Sequence, residues 1–145
     1  MKKTLFHSLT FPPDTISTGM LVSELAEGIN TELHNVEVLA SSPQYNMESV
    51  ELFGNSDENL SIGSYKNIKV NYINSKPRKF SNSSRFFQWI EFNFKSILFI
   101  YKNRSNYDNI FIFSYPPTMN LVCIFTSRIL KINTVYSLWA VSYTH

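Results

Sequence analysis

The chain has 145 residues, 43% of them hydrophobic and 17% charged, with 4 Gly and 6 Pro; that is the makeup of one packed domain and excludes a disordered or low-complexity chain. A net charge of +2 gives no overall acidic or basic character. The single cysteine, Cys123, excludes a disulfide framework and a Cys-based zinc site, and no metal ligation is expected.

The start, "MKKTLF", has the basic end of a signal peptide, but His7, Ser8 and Phe11-Pro12-Pro13-Asp14 interrupt it before an apolar region develops. Residues 3–9 instead suit a short buried strand. A Pro-Pro-Asp loop and the turn Ser17-Thr18-Gly19 follow. From Met20, Leu21, Leu25, Ile29 and Leu33 recur every four residues, with Glu24, Glu27 and Glu32 elsewhere, which predicts an amphipathic helix with the leucines inward. Residues 36–40 read as a second strand, closed by Ser41-Ser42-Pro43. Strand, helix and strand within about 38 residues is the pattern of a βαβ unit and a parallel sheet.

Residues 44–66 hold no sustained period, and an irregular excursion with one short strand at most is expected. Residues 68–73 alternate apolar and polar side chains, which predicts a strand at or near a sheet edge. Residues 85–102 have helical spacing, with Phe86, Ile90, Phe94, Ile97 or Leu98, and Tyr101 on one face. A strand over 109–113, a helix over 119–130 and a last strand over 134–139 complete the order. Glu91 and Lys95 split the longest apolar run, so no stretch reaches the roughly 20 residues that span a bilayer.

The sum is an α/β fold of the Rossmann-like, doubly wound type with a mostly parallel sheet, whose ligands bind outside the carboxyl ends of the strands. Four chain segments converge on that rim: the Pro-Pro-Asp loop, Ser41-Ser42-Pro43, Ser114-Tyr115-Pro116-Pro117 and the last residues. A Ser-Thr-Gly turn before a helix offers unpaired N–H groups and the positive end of the helix dipole to an anion. On this reading Ser17 or Thr18 caps the helix and Gly19 lets a ligand approach the backbone; the alternative is a plain capped turn. The loop is neither G-x-G-x-x-G nor a Walker A motif. Asp14 is either a polar site residue or a turn stabiliser, and His7, ending the first strand, is a possible rim contact. His34, in the turn between helix and strand, reads as structural.

"FPPDTISTGMLVSELAEGIN", followed by "HNVEVLASSPQYN", resembles the N-terminal domain of glycosyltransferase family 4, retaining GT-B sugar transferases of bacterial polysaccharide synthesis. "NYDNIFIFSYPPTM" and "INTVYSLW" are similar to later strands of that domain. The resemblance implies that residues 1–145 are an incomplete, acceptor-side part of a GT-B fold. Its nucleotide-sugar-binding domain, with paired glutamates, would lie outside the chain, which alone would be inactive. The implied partners are a nucleotide-sugar donor and a lipid-linked glycan acceptor, with no cofactor of the protein's own. Ser17, Thr18 and Gly19 are the implied cleft residues. Leu33 replaces the family's Gly before the His, and Ala140 stands near where the family places an acid. A rival class is a non-catalytic remnant or a subunit that needs a separate donor-binding partner.

Charge is concentrated in residues 76–104, which hold seven Lys or Arg and one Glu. Three readings stay open for Lys76, Arg78, Lys79, Arg85, Lys95, Lys102 and Arg104 beside the aromatic helix: a solvated loop with a core helix, a surface that meets anionic membrane and the acceptor, or a nucleic-acid surface. The last lacks any binding motif and is disfavoured. The expected location is cytoplasmic, with peripheral contact to the inner face of the membrane on the second reading.

Overall fold

The computed structural model describes residues 1–14, 17–32, 34–43, 52–57 (backbone only), 60–74, 82–114 and 116–138. Among the described residues seven strands form one mixed sheet: β1 (Lys2–His7), β2 (His34–Ser41), β3 (Leu52–Asp57), β4 (Leu60–Tyr65), β5 (Ile68–Ile73), β6 (Asn109–Phe113) and β7 (Asn133–Ser137). The spatial order is β3-β4-β5-β2-β1-β6-β7. The five strands from β5 to β7 are mutually parallel, while β4 runs antiparallel to both β5 and β3. The parallel part is compatible with a Rossmann-like fold: connections from β1 lead outward to β2 and β5 on one side and to β6 and β7 on the other.

α1 (Ser17–Ile29) lies on one face of the sheet. Val22 and Ala26 there close a core with Phe6, Val36, Val38, Val70 and Tyr72. α2 (Asn82–Lys102) and α3 (Met119–Ile124) lie on the other. Phe92, Ile100, Met119 and Val122 meet Leu5, Leu39, Ile73 and Ile110 there. Successive strand residues point to opposite faces, so Phe6 belongs to the first core and Leu5 to the second. α3 passes into a π-helical turn, Phe125–Ile129, in which the Leu130 N–H donates to the Phe125 carbonyl at 3.1 Å. The Thr126 and Ser127 hydroxyls donate to the Val122 and Cys123 carbonyls beside it, competing with the α-helical pattern.

Several expectations change. The 44–66 segment holds two strands, not one at most: β4 joins β5 by a two-residue turn, Lys66-Asn67, with φ of 45° and 65°. Two positive φ values suit the right-handed twist of a tight hairpin, and Asn tolerates that region. β5 is therefore an interior strand, paired on both sides and buried at five of its six positions. α1 and α2 also turn their expected faces outward. On α1, Gly19, Val22, Ser23 and Ala26 are buried while Leu21 and Leu25 are exposed, because small residues let the helix approach the sheet closely; of the expected stripe Ile29 packs against the core. On α2, Phe86, Ile90, Phe94, Leu98 and Tyr101 are exposed and Phe92, Asn93, Ser96 and Ile100 face the sheet; Ile97 alone of the expected stripe packs against the core.

Away from the rim, Glu37 is a buried charge on β2. Lys3 lies 2.7 Å from its carboxylate, Lys69 3.7 Å, and the Tyr107 hydroxyl donates to it at 2.9 Å. Burial alone would raise this carboxyl, but the hydrogen bonds from Lys3 and Tyr107 and the charge of Lys69 hold it below its ordinary value. Burial, with the Glu37 charge second, pushes the Tyr107 phenol up.

Candidate functional site at the carboxyl ends of the strands

The strand order puts the reversal of direction between β1 and β6, so the loops leaving these strands form the crevice where such sheets bind ligands. The loop after β1 is tightly anchored. The Ser8 N–H donates to the Leu39 carbonyl at 3.0 Å, and the Ser41 N–H returns a bond to the Leu9 carbonyl at 3.1 Å. The Ser8 hydroxyl donates to the Thr10 carbonyl at 2.9 Å. Phe11, Pro12, Pro13 and Asp14 make a turn about a cis Pro12–Pro13 bond, closed by the Asp14 N–H on the Phe11 carbonyl at 3.3 Å. Phe11 is buried and meets the Tyr65 ring edge-on at 5.7 Å.

Tyr72, on β5, reaches up from the core so that its hydroxyl donates to the Pro12 carbonyl at 2.8 Å. Burial pushes its phenol pKa up, and the nearby charge of Asp14 adds to that. Asp14 is itself buried, with its charge near the Tyr72 phenol beneath the loop.

Ser17, Thr18 and Gly19 form the first turn of α1 rather than a turn before it. Both belong to the helix, Ser17 exposed and Thr18 half-buried; position 16, which precedes it, lies outside the described residues. Gly19 is buried, and a Cβ there would meet the Phe11 Cα, the Phe11 nitrogen and the Thr10 carbonyl carbon, each at 3.3 Å. The space beside Gly19 is thus filled by the chain's own backbone. The glycine permits close packing of helix on loop, not close approach of a ligand.

The neighbouring rim segments are stitched into the same layer. The Ser42 N–H donates to the Ile73 carbonyl at 2.9 Å, the Ser114 N–H to the Ser137 carbonyl at 3.1 Å, and the Met119 N–H to the Pro116 carbonyl at 3.0 Å. The structure therefore brings Asp14, Ser17, Thr18, Ser42 and Ser114 to one end of the sheet.

No family model matches this chain, and no curated protein matches it.

His7 does not stand on the open rim. It is fully buried on the α2 face of β1, stacked on Phe92 with ring centroids 5.3 Å apart. Burial lowers its pKa from 6.5 to about 3, so the ring is neutral, and among the described residues neither ring nitrogen has a hydrogen-bond partner. Asn93 and Ser96, on the inward face of α2 beside Phe92, are likewise buried with unpartnered polar atoms. Sequence reasoning missed both residues because it assigned the inward face of α2 to its aromatic stripe; the one available signal was a pair of small polar residues three apart, off the Gln88, Glu91, Lys95 and Lys102 row.

Of the basic residues expected to form a surface, Lys76, Arg78 and Lys79 lie outside the described residues. Arg85 is half-buried in the first turn of α2. His34 opens β2, its N–H donating to the Thr31 carbonyl at 3.2 Å, a structural part in the turn. Among the described residues, no group of three or more His, Cys, Asp or Glu could hold a metal ion, and no helix is long and apolar enough to cross a membrane.

Proposed function

We propose that this chain is the acceptor-side part of a GT-B glycosyltransferase, which moves a sugar from a nucleotide sugar to a lipid-linked glycan once a second, donor-binding domain closes over the same rim. The observation that carries the reading is the strand order, with the anchored Pro-Pro-Asp loop and the first turn of α1 beside the switch point. The resemblance of "FPPDTISTGMLVSELAEGIN" and "HNVEVLASSPQYN" to family 4 supports it. In this reading Ser17 and Thr18 orient acceptor hydroxyls, while the buried Asp14 holds the turn and Gly19 fixes α1 against the loop. The arrangement positions one reactant and leaves stabilisation of the leaving diphosphate to the other domain.

The test is titration of the isotope-labelled full chain with a soluble, short-chain prenyl-diphosphate-linked N-acetylglucosamine, read by amide chemical shifts. Changes clustered at Asp14, Ser17, Thr18, Ser42 and Ser114 are expected. Shifts confined to other surfaces, or none, would overturn the reading. Binding of NAD at the same rim would instead assign the chain to another class of Rossmann-like protein.

A further inference from the structure

The two edges of the sheet are built differently. β3 is registered to β4 at only three positions, with a shift between each and the next, and its sequence carries Gly54 and Asp57. Such bulges and charges blunt an edge against further pairing. β7 has none of these devices. It is registered to β6 at five consecutive positions without a shift, and the sequence from Ile132 to Leu138 contains no charged residue, proline or glycine. Beside this edge Val135 is 40% exposed, Leu138 80%, and Ile129, in the π-helical turn that packs on β7, 63%.

Backbone direction defines what the edge offers. The Ser114 N–H donates to the Ser137 carbonyl at 3.1 Å, which turns the backbone polar groups of Ser137 toward β6. Alternate residues of a strand direct their N–H and C=O to the same side, so Asn133 and Val135 face β6 as well, while Thr134 and Tyr136 direct theirs outward, where no strand stands among the described residues. Side chains alternate between the faces of the sheet: Tyr136 packs toward α3 and the Thr134 hydroxyl lies 3.2 Å from that of Thr126, whereas Asn133 and Val135 are exposed on the α1 side. An open edge of this kind is completed by a further strand. Charge and symmetry select which. Arg128 and Lys131 lead into β7, and no Asp or Glu occurs after Asp108. A copy of the same strand laid parallel would set Lys131 beside Lys131, whereas an antiparallel copy sets the two at opposite ends of the ribbon, on the order of 25 Å apart and screened by salt.

We infer that β7 pairs antiparallel with β7 of a second copy of this chain across a two-fold axis, joining the two sheets into one. Full overlap of the two strands sets Thr134 opposite Tyr136 and Val135 opposite its counterpart. Each outward N–H then meets an outward C=O of the other copy, and the valines meet at the close, non-hydrogen-bonded position on the axis. Because the same edge serves both copies, the contact closes at two chains. The inference stands on strand direction and sequence at β7, independently of the sugar-transfer reading: glycan binding at the strand ends and self-association at β7 succeed or fail separately.

The test is sedimentation equilibrium of the full chain over a wide range of concentration, with a mass that rises to that of two chains expected. Val135→Lys sets like charges opposite each other on the axis and leaves the β6 ladder intact; its dissociation constant should rise about tenfold or more, with far-UV circular dichroism verifying the fold. Cross-linking in a Cys123→Ser background reads the register separately. Val135→Cys brings two thiols onto Cα atoms about 4.5 Å apart and should give a disulfide-linked dimer under a mild oxidant. Asn133→Cys, on the same face, sets them roughly 13 Å apart, beyond the reach of a disulfide, and should not. A monomer at every concentration, a dimer that Val135→Lys leaves unchanged, or equal cross-linking from positions 133 and 135 would overturn the inference.

Discussion

His7 makes the stability of this protein depend on pH in a way that one substitution isolates. Its pKa is 6.5 ordinarily and about 3 in the fold, because burial disfavours the imidazolium and no partner among the described residues compensates. Between these values the unfolded chain binds a proton that the folded chain does not, so stability falls as pH falls and is regained above the ordinary value. At about 1.4 kcal/mol per pH unit, the loss between about pH 8 and about pH 5 comes to about 2 kcal/mol, and reaches about 3 kcal/mol near pH 4. Glu37 acts in a lower window: its depressed pKa stabilises the fold above its ordinary value of 4.5, and that contribution is lost as pH falls below it. Urea unfolding followed by circular dichroism at about pH 8, 6.5 and 5 therefore separates the two. His7→Leu should flatten the pH dependence in this range by about 2 kcal/mol, whatever its effect on stability at neutral pH. His34 and His145 are common to both proteins and cancel in the difference. Equal slopes in the two proteins, or a His7 imidazole signal that titrates near pH 6.5 in the folded chain, would refute the reasoning.

Gly19→Ala forces a methyl against backbone atoms of Thr10 and Phe11, and a loss of about 1–3 kcal/mol is expected from thermal or urea unfolding. Gly28→Ala, whose Cβ would have nothing within 4 Å, should be neutral or gain up to about 1 kcal/mol in the same measurement. Tyr107→Phe withdraws a hydrogen bond from the buried Glu37 carboxylate and should cost about 1–3 kcal/mol near neutral pH, seen as a lower urea midpoint. Phe92→Ala removes the ring that stacks on His7 and opens a space between β1 and α2, with an expected loss of about 3–5 kcal/mol.

The amino-acid sequence by itself determined the α/β class, the order of the main helices and parallel strands, and the position of the Pro-Pro-Asp loop at a strand's carboxyl end. Each of these follows from short-range information: apolar runs of strand length, helical spacing and proline stops. The β3–β4 pair was not legible, because its few apolar residues hold no sustained period among polar ones and its turn to β5 is Lys66-Asn67 rather than an Asn-Gly pair; pairing with β5 makes these strands. Nor could spacing choose the inward faces of the helices. α2 is apolar nearly all round, and α1 carries both a leucine row and a row of small residues. Only the distance between helix and sheet decided the contest: Gly19 packed on the Phe11 backbone and Phe92 stacked on His7 put Leu21, Leu25, Phe87 and Phe94 outside. The same docking buried His7, Asn93 and Ser96 and turned Gly19 from a residue that admits a ligand into one that admits its own chain. Helical periodicity reports which residues share a face, and tertiary packing decides which face is covered.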